Sequence, residues 1–215
     1  MVVKILVADE HEIFRKGVKG LLKESNDKFE IDEANNGQEV MEKIWKNNYD
    51  AVLLDISMPG RNGIDILKQL KGYKPDLQVL ILSTYPEKQF AMRALKAGAA
   101  GFLTKAVKSD ELVTAIQYLL KGKRYISSSL ADTIVNYVEY GDEKAPHEVL
   151  SDREYEIMCM TAEGKTVKKI ASELSLSDKT VSTYRARTLI KMNMNNTAQL
   201  IQYVINNSLI NQNYE

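Results

Sequence analysis

Short apolar runs alternate with helical patterns over residues 3–120. Four of these runs are rich in Val, Ile and Leu, and they extend from Val3 to Ala8, Ala51 to Leu54, Val79 to Leu82 and Gly101 to Thr104. A weaker, half-exposed run covers Phe29 to Ala34. Apolar runs of this length that alternate with helices are typical of the buried strands of a parallel sheet. The pattern therefore predicts five strands.

A stripe of apolar residues at helical spacing follows each predicted strand. The stripes begin at Ile13, Val40, Ile64, Phe90 and Leu112, and the second of them includes Trp45. Helices between consecutive parallel strands pack on both faces of the sheet, because the crossover connections share one handedness. The pattern predicts an α/β fold with a doubly wound, five-stranded parallel sheet.

The pattern changes beyond residue 120. Residues 121–149 have the Gly, Ser and Pro content of a linker, although Leu130, Ile134 and Val135 predict a short helix within it. From Leu150 onward the strand pattern is absent and the segments are helical, beginning with a capping box at Ser151 and Glu154. We therefore predict a first domain at residues 1–121, a linker with a short helix at 122–146 and a small all-α domain at 147–215.

Charge is balanced over the chain but not along it. The 215 residues include 29 Lys plus Arg and 29 Asp plus Glu, so the formal net charge is zero. Residues 165–191 nevertheless contain seven basic residues against two acidic ones. A local excess of positive charge of this kind predicts contact with a polyanion.

The compartment follows from what the chain lacks. The one cysteine, Cys159, excludes an internal disulfide, and its apolar neighbours indicate a small buried side chain rather than a nucleophile. The N-terminus has no signal-peptide core, and no apolar run approaches the ~20 residues that span a bilayer. We therefore expect a cytoplasmic protein that has no membrane partner.

Polar residues stand where the predicted strands end. Asp9 (with Glu10), Asp55, Ser83 and Lys105 each follow or close an apolar run. The carboxyl ends of parallel strands meet at one edge of the sheet, so these side chains are expected to converge there. Carboxylates of this kind can hold Mg²⁺, one of them can attack phosphorus, and an ammonium can neutralise a phosphoryl group. The alternative is that each is an ordinary polar residue at a strand end.

The first domain resembles the receiver domains of two-component systems. The resemblance rests on Asp9-Glu10-His11, on the loop from Asp55 to Gly63, on Leu82-Ser83-Thr84 and on Ala97 to Lys105. It implies a flavodoxin-like sheet of order 2-1-3-4-5 and a phosphoryl group accepted by Asp55 from a sensor histidine kinase. It further implies Mg²⁺ held by Asp9, Glu10, Asp55 and the Ser57 carbonyl. Ser83 is then the switch hydroxyl, Lys105 the phosphate contact and Phe102 the aromatic switch.

Two residues depart from the receiver pattern. Glu10 stands where Asp is more usual, and its longer side chain places its role in metal binding in doubt. Ala106 follows Lys105 where many receivers have a cis proline. Because a cis bond before a residue other than proline costs ~3 kcal/mol, we expect a trans peptide there.

The small all-α domain has the spacing of a helix-turn-helix. An amphipathic helix from Val167 to Leu174 is followed by a tight turn and by a longer helix for which Asp178 is the expected N-cap. Helices of this kind place Lys and Arg on phosphates and Ser and Thr on base edges. The expected DNA contacts are Lys168, Lys179, Thr180, Ser182, Thr183, Arg185, Ala186, Arg187 and Lys191. The alternative is a helical bundle with a solvated basic face.

The whole pattern from Leu150 to Lys191 is similar to the LuxR-type helix-turn-helix. Together with the receiver it identifies the chain as a member of the NarL/FixJ class of response regulators. Tyr184 and Ala186 depart from the residues usual in the class, and Ala186 places any transfer of base preference in doubt.

Three functions remain to be weighed. The first is a phosphorylation-dependent transcription regulator that binds double-stranded promoter DNA as a homodimer. Its candidate dimer residues, for which the alternative is a place in the core, are Leu200, Ile201, Val204 and Ile205. The second is a Mg²⁺-dependent phosphotransferase, which Ser57 disfavours because such enzymes place an acid two residues after the nucleophile. The third is a phosphate-independent regulator whose receiver only dimerises. The acidic residues and Lys105 favour the first, which is not a turnover enzyme.

Overall fold

The structure is a computed structural model that describes residues 2–24, 29–140 and 145–210. Residues 141–144 of the predicted linker and 211–215 of the predicted all-α domain lie outside the described residues. The chain divides into two compact units, Met1–Ala131 and Asp132–Glu215. Within the described residues, no helix is both long and apolar enough to cross a bilayer.

The first unit contains a parallel sheet of five strands. They are β1 (Val3–Ala8), β2 (Phe29–Ala34), β3 (Ala51–Asp55), β4 (Gln78–Ser83) and β5 (Gly101–Thr104). Their order in the sheet is β2-β1-β3-β4-β5, and each neighbouring pair is parallel. The predicted fold class and strand order are confirmed.

Helices cover both faces of this sheet. They are α1 (Glu12–Glu24), α2 (Gly37–Lys46), α3 (Gly63–Tyr73), α4 (Glu87–Lys96) and α5 (Ser109–Leu120). Val7 and Leu53 pack in one core cluster with Val18 of α1 and Ile116 of α5. Alternate residues of a strand point to opposite faces, and residues of the other face, such as Leu54, are equally buried. This two-sided burial explains why the strands appear as continuous apolar runs.

Two residues of the predicted helical stripes are exposed. Ile13 is 88% exposed and Trp45 is 55% exposed. Val18 and Leu22, one turn apart, are the buried residues of α1, and Val40, Met41 and Ile44 are buried on α2. A surface helix buries one stripe only, and Ile13 and Trp45 lie beyond the edges of these stripes.

Helix α6 (Ser128–Tyr140) lies in the segment for which the sequence predicts a short helix. The hydroxyl of Ser127 accepts a hydrogen bond from the Leu130 amide at 3.2 Å, and also donates to the carboxylate of Glu87 on α4 at 2.9 Å. The start of α6 is therefore attached to the first turn of α4.

The second unit is helical. A 3-10 helix (Pro146–Val149) precedes α7 (Asp152–Ala162), α8 (Val167–Glu173), α9 (Asp178–Lys191) and α10 (Thr197–Asn206). Ile157, Ile170 and Val181 pack together in its core, and Cys159 is fully buried as expected. The capping box of Ser151 and Glu154 is confirmed.

The prediction that Asp178 caps α9 is wrong by one residue. Ser177 is the N-cap, and its Oγ accepts a hydrogen bond from the Thr180 amide at 3.0 Å. Asp178 instead occupies the first turn of the helix, where its negative charge is favourable toward the helix dipole. Both residue types cap helices well, so local sequence did not distinguish them.

Candidate functional site

The carboxyl edge of the sheet brings two carboxylates and one ammonium into contact. Asp9 directly follows β1, Asp55 ends β3, and Lys105 directly follows β5. Nζ of Lys105 lies 2.7 Å from Oδ2 of Asp9 and 2.7 Å from Oδ2 of Asp55. The convergence expected from the strand ends is therefore present for these three residues.

Burial controls the acidity of Asp55. Asp9 and Asp55 are each 1% exposed. Burial raises the pKa of Asp55 from 3.8 to about 6, although the Lys105 ammonium opposes this rise, and the neighbouring Asp9 carboxylate adds to it. A carboxylate with this pKa is ionised at neutral pH, yet it is a stronger base than an exposed aspartate. Asp55 is therefore suited to attack an electrophile.

The loop after Asp55 holds its backbone in place. The Ser57 amide donates to Oδ1 of Asp55 at 3.2 Å, and the Gly63 amide donates to the Ile56 carbonyl at 2.7 Å. Asn62 is buried and caps α3 by accepting from the Ile64 amide at 2.8 Å. A Cβ atom on Gly63 would lie 2.0 Å from the Asp55 carbonyl oxygen, so the loop requires glycine there.

The donor set fits a small divalent cation. Two buried carboxylates share one ammonium, so the cluster keeps a net negative charge. Among the described residues, Oδ2 of Asp9 has no hydrogen-bond partner beyond its ion pair with Lys105. Ligand atoms of Asp9, His11 and Asp55 all lie within 4.8 Å of one another. Carboxylate oxygens are the ligands that Mg²⁺ prefers, so the residues present fit the expected metal.

Glu10 does not belong to this group of ligand atoms and is partly exposed. His11, which the sequence did not suggest, takes the third place: its amide and its Nδ1 contact Oδ1 of Asp9 at 2.9 and 3.1 Å. The metal role of Glu10 and of the Ser57 carbonyl stays a prediction.

The predicted switch residues lie on β4, which pairs with the strand of Asp55, and on β5, which pairs with β4. Ser83 ends β4, is fully buried and accepts a hydrogen bond from the Tyr85 amide at 2.9 Å. The Tyr85 ring packs against Phe90 of α4 with ring centroids 4.8 Å apart. Phe102 is fully buried on β5, opposite Ile81 of β4. The site edge is thus linked to α4 through a short run of contacts.

The backbone at Lys105 matches expectation. The described chain contains no cis peptide, so the bond before Ala106 is trans. The Lys105 amide donates to the Ser83 carbonyl at 2.7 Å, and its ammonium lies 5.0 Å from the centre of the Phe14 ring. These contacts aim the Lys105 side chain at the two carboxylates.

The second unit contains a helix-turn-helix. Helix α8 ends in a turn in which Ser175 adopts a positive φ of 53°, and the Leu176 amide donates to the Ala171 carbonyl at 2.8 Å. Val181 of α9 then packs on the core formed by α7 and α8. Seven of the nine predicted DNA contacts are exposed on α8 and α9, namely Lys168, Lys179, Ser182, Thr183, Ala186, Arg187 and Lys191.

Three of the nine predicted contacts, including the exposed Lys191, pair with other side chains of the unit. Thr180 shares a 2.8 Å hydrogen bond with Ser177, and a guanidinium nitrogen of Arg185 donates to Thr197 at 2.9 Å. Nζ of Lys191 lies 2.6 Å from Oε2 of Glu154, whose side chain is 4% exposed. Sequence position alone places these residues on α9, but it does not reveal such partners from other segments.

Glu154 connects the start of α7 to the end of α9. Its burial alone would raise its pKa, but hydrogen bonds from the Lys191 ammonium and from Ser151 outweigh this and leave the pKa of Glu154 below its ordinary value. The ion pair between Glu154 and Lys191 is therefore a structural feature of the helix-turn-helix.

Comparison with known families agrees with both sites. Residues 5–117 match the family described as the response regulator receiver domain. Residues 148–204 match the family described as bacterial regulatory proteins of the luxR family. The two matches include the acidic cluster and the helix-turn-helix respectively.

Two relatives match the chain over almost its whole length. The chain is 32% identical over 210 residues to the response regulator UvrY of Escherichia coli strain K12, which covers 97% of this chain and 96% of UvrY. It is 31% identical over 209 residues to the response regulator GacA of Pseudomonas syringae pv. syringae, covering 97% of this chain and 98% of GacA.

A solved structure of RcsB from Salmonella enterica serovar Typhimurium, bound to promoter P1flhDC in the presence of phosphomimetic BeF3⁻, is also similar. It is 25% identical with a TM-score of 0.60, and the match covers 94% of this chain and 97% of the RcsB chain. The chain therefore belongs to the response regulators of the NarL/FixJ class, which join a receiver domain to a LuxR-type DNA-binding domain.

Proposed function

We propose that Asp55 accepts a phosphoryl group from a sensor histidine kinase, and that the phosphorylated chain binds promoter DNA as a homodimer. The observation that carries this proposal is the Lys105 ammonium, which lies 2.7 Å from both Asp55 and Asp9 at the carboxyl edge of the sheet. A buried nucleophile beside a fixed cation is the arrangement that phosphoryl transfer to a carboxylate requires.

The transfer forms one bond and breaks another. An ionised Oδ of Asp55 attacks phosphorus, an O–P bond forms, and the N–P bond to the donor histidine breaks with its electron pair returning to the imidazole. Asp9 and Asp55 would hold Mg²⁺, whose charge would neutralise that of the phosphoryl oxygens. Lys105 moves its ammonium from the carboxylates toward the new phosphoryl group. A hydroxyl can accept and donate hydrogen bonds at the same time. Ser83 therefore keeps the hydrogen bond that it accepts from the Tyr85 amide and also donates one to a phosphoryl oxygen.

The residue two positions after the nucleophile favours a switch over turnover. A phosphotransferase that releases its product needs an acid there, and this chain has Ser57. Ser57 is instead engaged through its amide with Asp55. The acyl phosphate therefore persists, which suits a regulator that reports its own modification.

DNA binding is assigned to the exposed face of α9. Arg187 and Lys179 supply positive charge, and Ser182 and Thr183 supply short polar groups for base edges. The similarity to RcsB, whose structure was solved on promoter DNA, supports the same type of ligand for this chain. We propose a cytoplasmic location, which a promoter-DNA ligand supports.

Two of the four candidate dimer residues of α10 are buried, which leaves two for contact with a partner. Leu200 and Val204 of α10 are 1% and 0% exposed, so they belong to the core and cannot face a partner. Ile201 is half-buried and Ile205 is 38% exposed. We assign the partner contact of α10 to Ile201 and Ile205.

One comparison tests the proposal. The full chain is incubated with Mg²⁺ and a small acyl phosphate, and its mass in solution and its affinity for duplex DNA are measured beside those of Asp55→Asn. We expect dimerisation and tighter DNA binding of the wild type alone. Identical mass and affinity with and without phosphoryl on Asp55 would reject phosphorylation as the control, and equal responses of the variant would reject Asp55 as the acceptor.

A further inference from the structure

We propose that Arg15 is a positioning residue of the phosphoryl-transfer site, which fixes the loop that carries the metal-binding carboxylates. This inference rests on the proposed function of that site. Nη1 of Arg15 donates to the backbone carbonyl of Asp9 at 2.8 Å and to that of Glu10 at 3.2 Å. The Arg15 side chain is 12% exposed, so these bonds are largely protected from water.

Two consecutive carbonyls held by one guanidinium leave the loop little freedom. Each peptide unit is planar, so fixing both carbonyl oxygens also fixes the directions in which the Asp9 and Glu10 side chains leave the backbone. The other side of the loop is held as well, because the Asp9 amide donates to the Ala34 carbonyl at 3.0 Å. The loop after β1 is therefore clamped between β2 and α1.

This clamp also bears on the metal role that the sequence predicts for Glu10. A glutamate has one more rotatable bond than the aspartate usual at that position, so ordering its side chain around a cation costs more entropy. Because the backbone is already fixed, only the conformational entropy of the Glu10 side chain is lost when it binds a cation. Arg15 thereby compensates for the longer arm.

A second acid holds Arg15 in its orientation. Nε of Arg15 donates to Oε2 of Glu33 at 3.1 Å, at the end of β2. Lys19, one turn further along α1, pairs with Oε1 of the same Glu33 at 3.1 Å. Arg15 and Lys19 thus share one acidic partner, but Arg15 alone of the two has bonds to the loop carbonyls in the described structure. Lys19 is therefore a matched control for charge.

An effect of the Arg15 charge and an effect of positioning by Arg15 predict opposite changes in the Mg²⁺ affinity of Arg15→Ala. A cation close to the acidic cluster opposes the binding of a second cation, so if Arg15 acted through its charge alone, Arg15→Ala would bind Mg²⁺ more tightly. If Arg15 positions the loop, the same variant binds Mg²⁺ more weakly. Arg15→Lys keeps the charge but lacks the planar fork that reaches Glu33 and both carbonyls, so positioning predicts weaker binding for this variant too.

The test measures metal binding and phosphorylation separately on the full-length protein. Mn²⁺ binding is followed through the loss of the free-ion EPR signal, and phosphorylation by a small acyl phosphate is titrated with Mg²⁺. For Arg15→Ala and Arg15→Lys we expect the Mn²⁺ dissociation constant and the half-saturating Mg²⁺ concentration to rise about tenfold, the usual effect of removing a residue that orients a metal ligand. The phosphorylation rate at saturating Mg²⁺ stays close to wild type, and Lys19→Ala changes each value less than about twofold.

Each other outcome has a definite meaning. Unchanged or tighter metal binding in Arg15→Ala overturns the inference, as does an equal loss in Lys19→Ala. A lower maximal rate without a shift in half-saturation indicates a folding defect and also overturns it, and circular dichroism identifies that case. If the wild type itself neither binds the ions nor accepts phosphoryl, the proposed function fails instead.

Discussion

Replacing Asp55 by asparagine should make the receiver more stable at neutral pH. Asp55 is buried beside a second carboxylate, and the two share the ammonium of Lys105. Asparagine has the same shape, but the Ser57 amide donates to Oδ1 of Asp55 and Lys105 to Oδ2, so the single side-chain oxygen of asparagine keeps only one of these two bonds. The variant therefore removes one buried negative charge at the cost of one hydrogen bond.

The size and the pH dependence follow from the pKa of Asp55, which burial raises from 3.8 to about 6, with Lys105 opposing the rise and Asp9 adding to it. A pKa that is higher in the folded state means that folding favours the protonated form. The corresponding stability is fully present below pH 3.8 and is lost as the pH rises through about 6. The full difference is about 3 kcal/mol, and relaxation around the charge reduces it to roughly 1–3 kcal/mol.

Thermal unfolding without divalent cations tests this argument. We expect the melting temperatures of wild type and Asp55→Asn to agree near pH 4 and to separate by roughly 3–10 °C in favour of the variant at pH 8. Added Mg²⁺ should stabilise the wild type more than the variant, because only the wild type retains both carboxylates. A variant that is less stable than wild type at pH 8, or a difference independent of pH, would refute the assignment of Asp55 as a strained buried anion.

Three further changes have expected outcomes. Arg187→Ala should lower the magnitude of the slope of log DNA affinity against log salt concentration by about 0.9. Lys191→Ala should change this slope less, because Glu154 holds the Lys191 ammonium. Equal slopes for the two variants in DNA titrations would contradict this. Glu154→Gln should cost roughly 1–2 kcal/mol at pH 7. Since the pKa of Glu154 is lowered on folding, this stability exists above its ordinary 4.5 and is lost as the pH falls through the lower folded value. The difference between the two proteins in urea unfolding should therefore shrink steadily as the pH is lowered below 4.5. Gly63→Ala should destabilise the receiver by roughly 1–3 kcal/mol or more in urea unfolding, since the new Cβ would lie 2.0 Å from the Asp55 carbonyl oxygen. The same variant should no longer accept a phosphoryl group on Asp55. A stable variant that is phosphorylated normally would show that the loop tolerates a side chain.

Sequence reasoning located the receiver site because that site follows from topology. Parallel strands end at one edge, so the residues that close β1, β3 and β5 had to meet once the strands were recognised. Asp9, Asp55 and Lys105 meet there. The same rule needs no knowledge of which side chains touch.

Contacts that cross between elements were beyond the sequence pattern. The bonds from Arg15 to the loop carbonyls depend on how α1 turns back over the end of β1, and periodicity does not encode that angle. The ion pair of Lys191 with Glu154 joins residues 37 positions apart. Hydrophobic spacing identifies the buried face of a helix, but it does not reveal which polar residues of that helix are already engaged.

The central claim is that Asp55 is the phosphoryl acceptor of a metal-dependent switch. Its most direct test is to incubate the full chain with Mg²⁺ and a small acyl phosphate, and to map the modification by mass spectrometry beside Asp55→Asn. We predict one phosphoryl group on Asp55, which hydroxylamine removes and chelation of Mg²⁺ prevents. Modification that persists in Asp55→Asn, or a wild type that stays unmodified with Mg²⁺ present, would contradict the account.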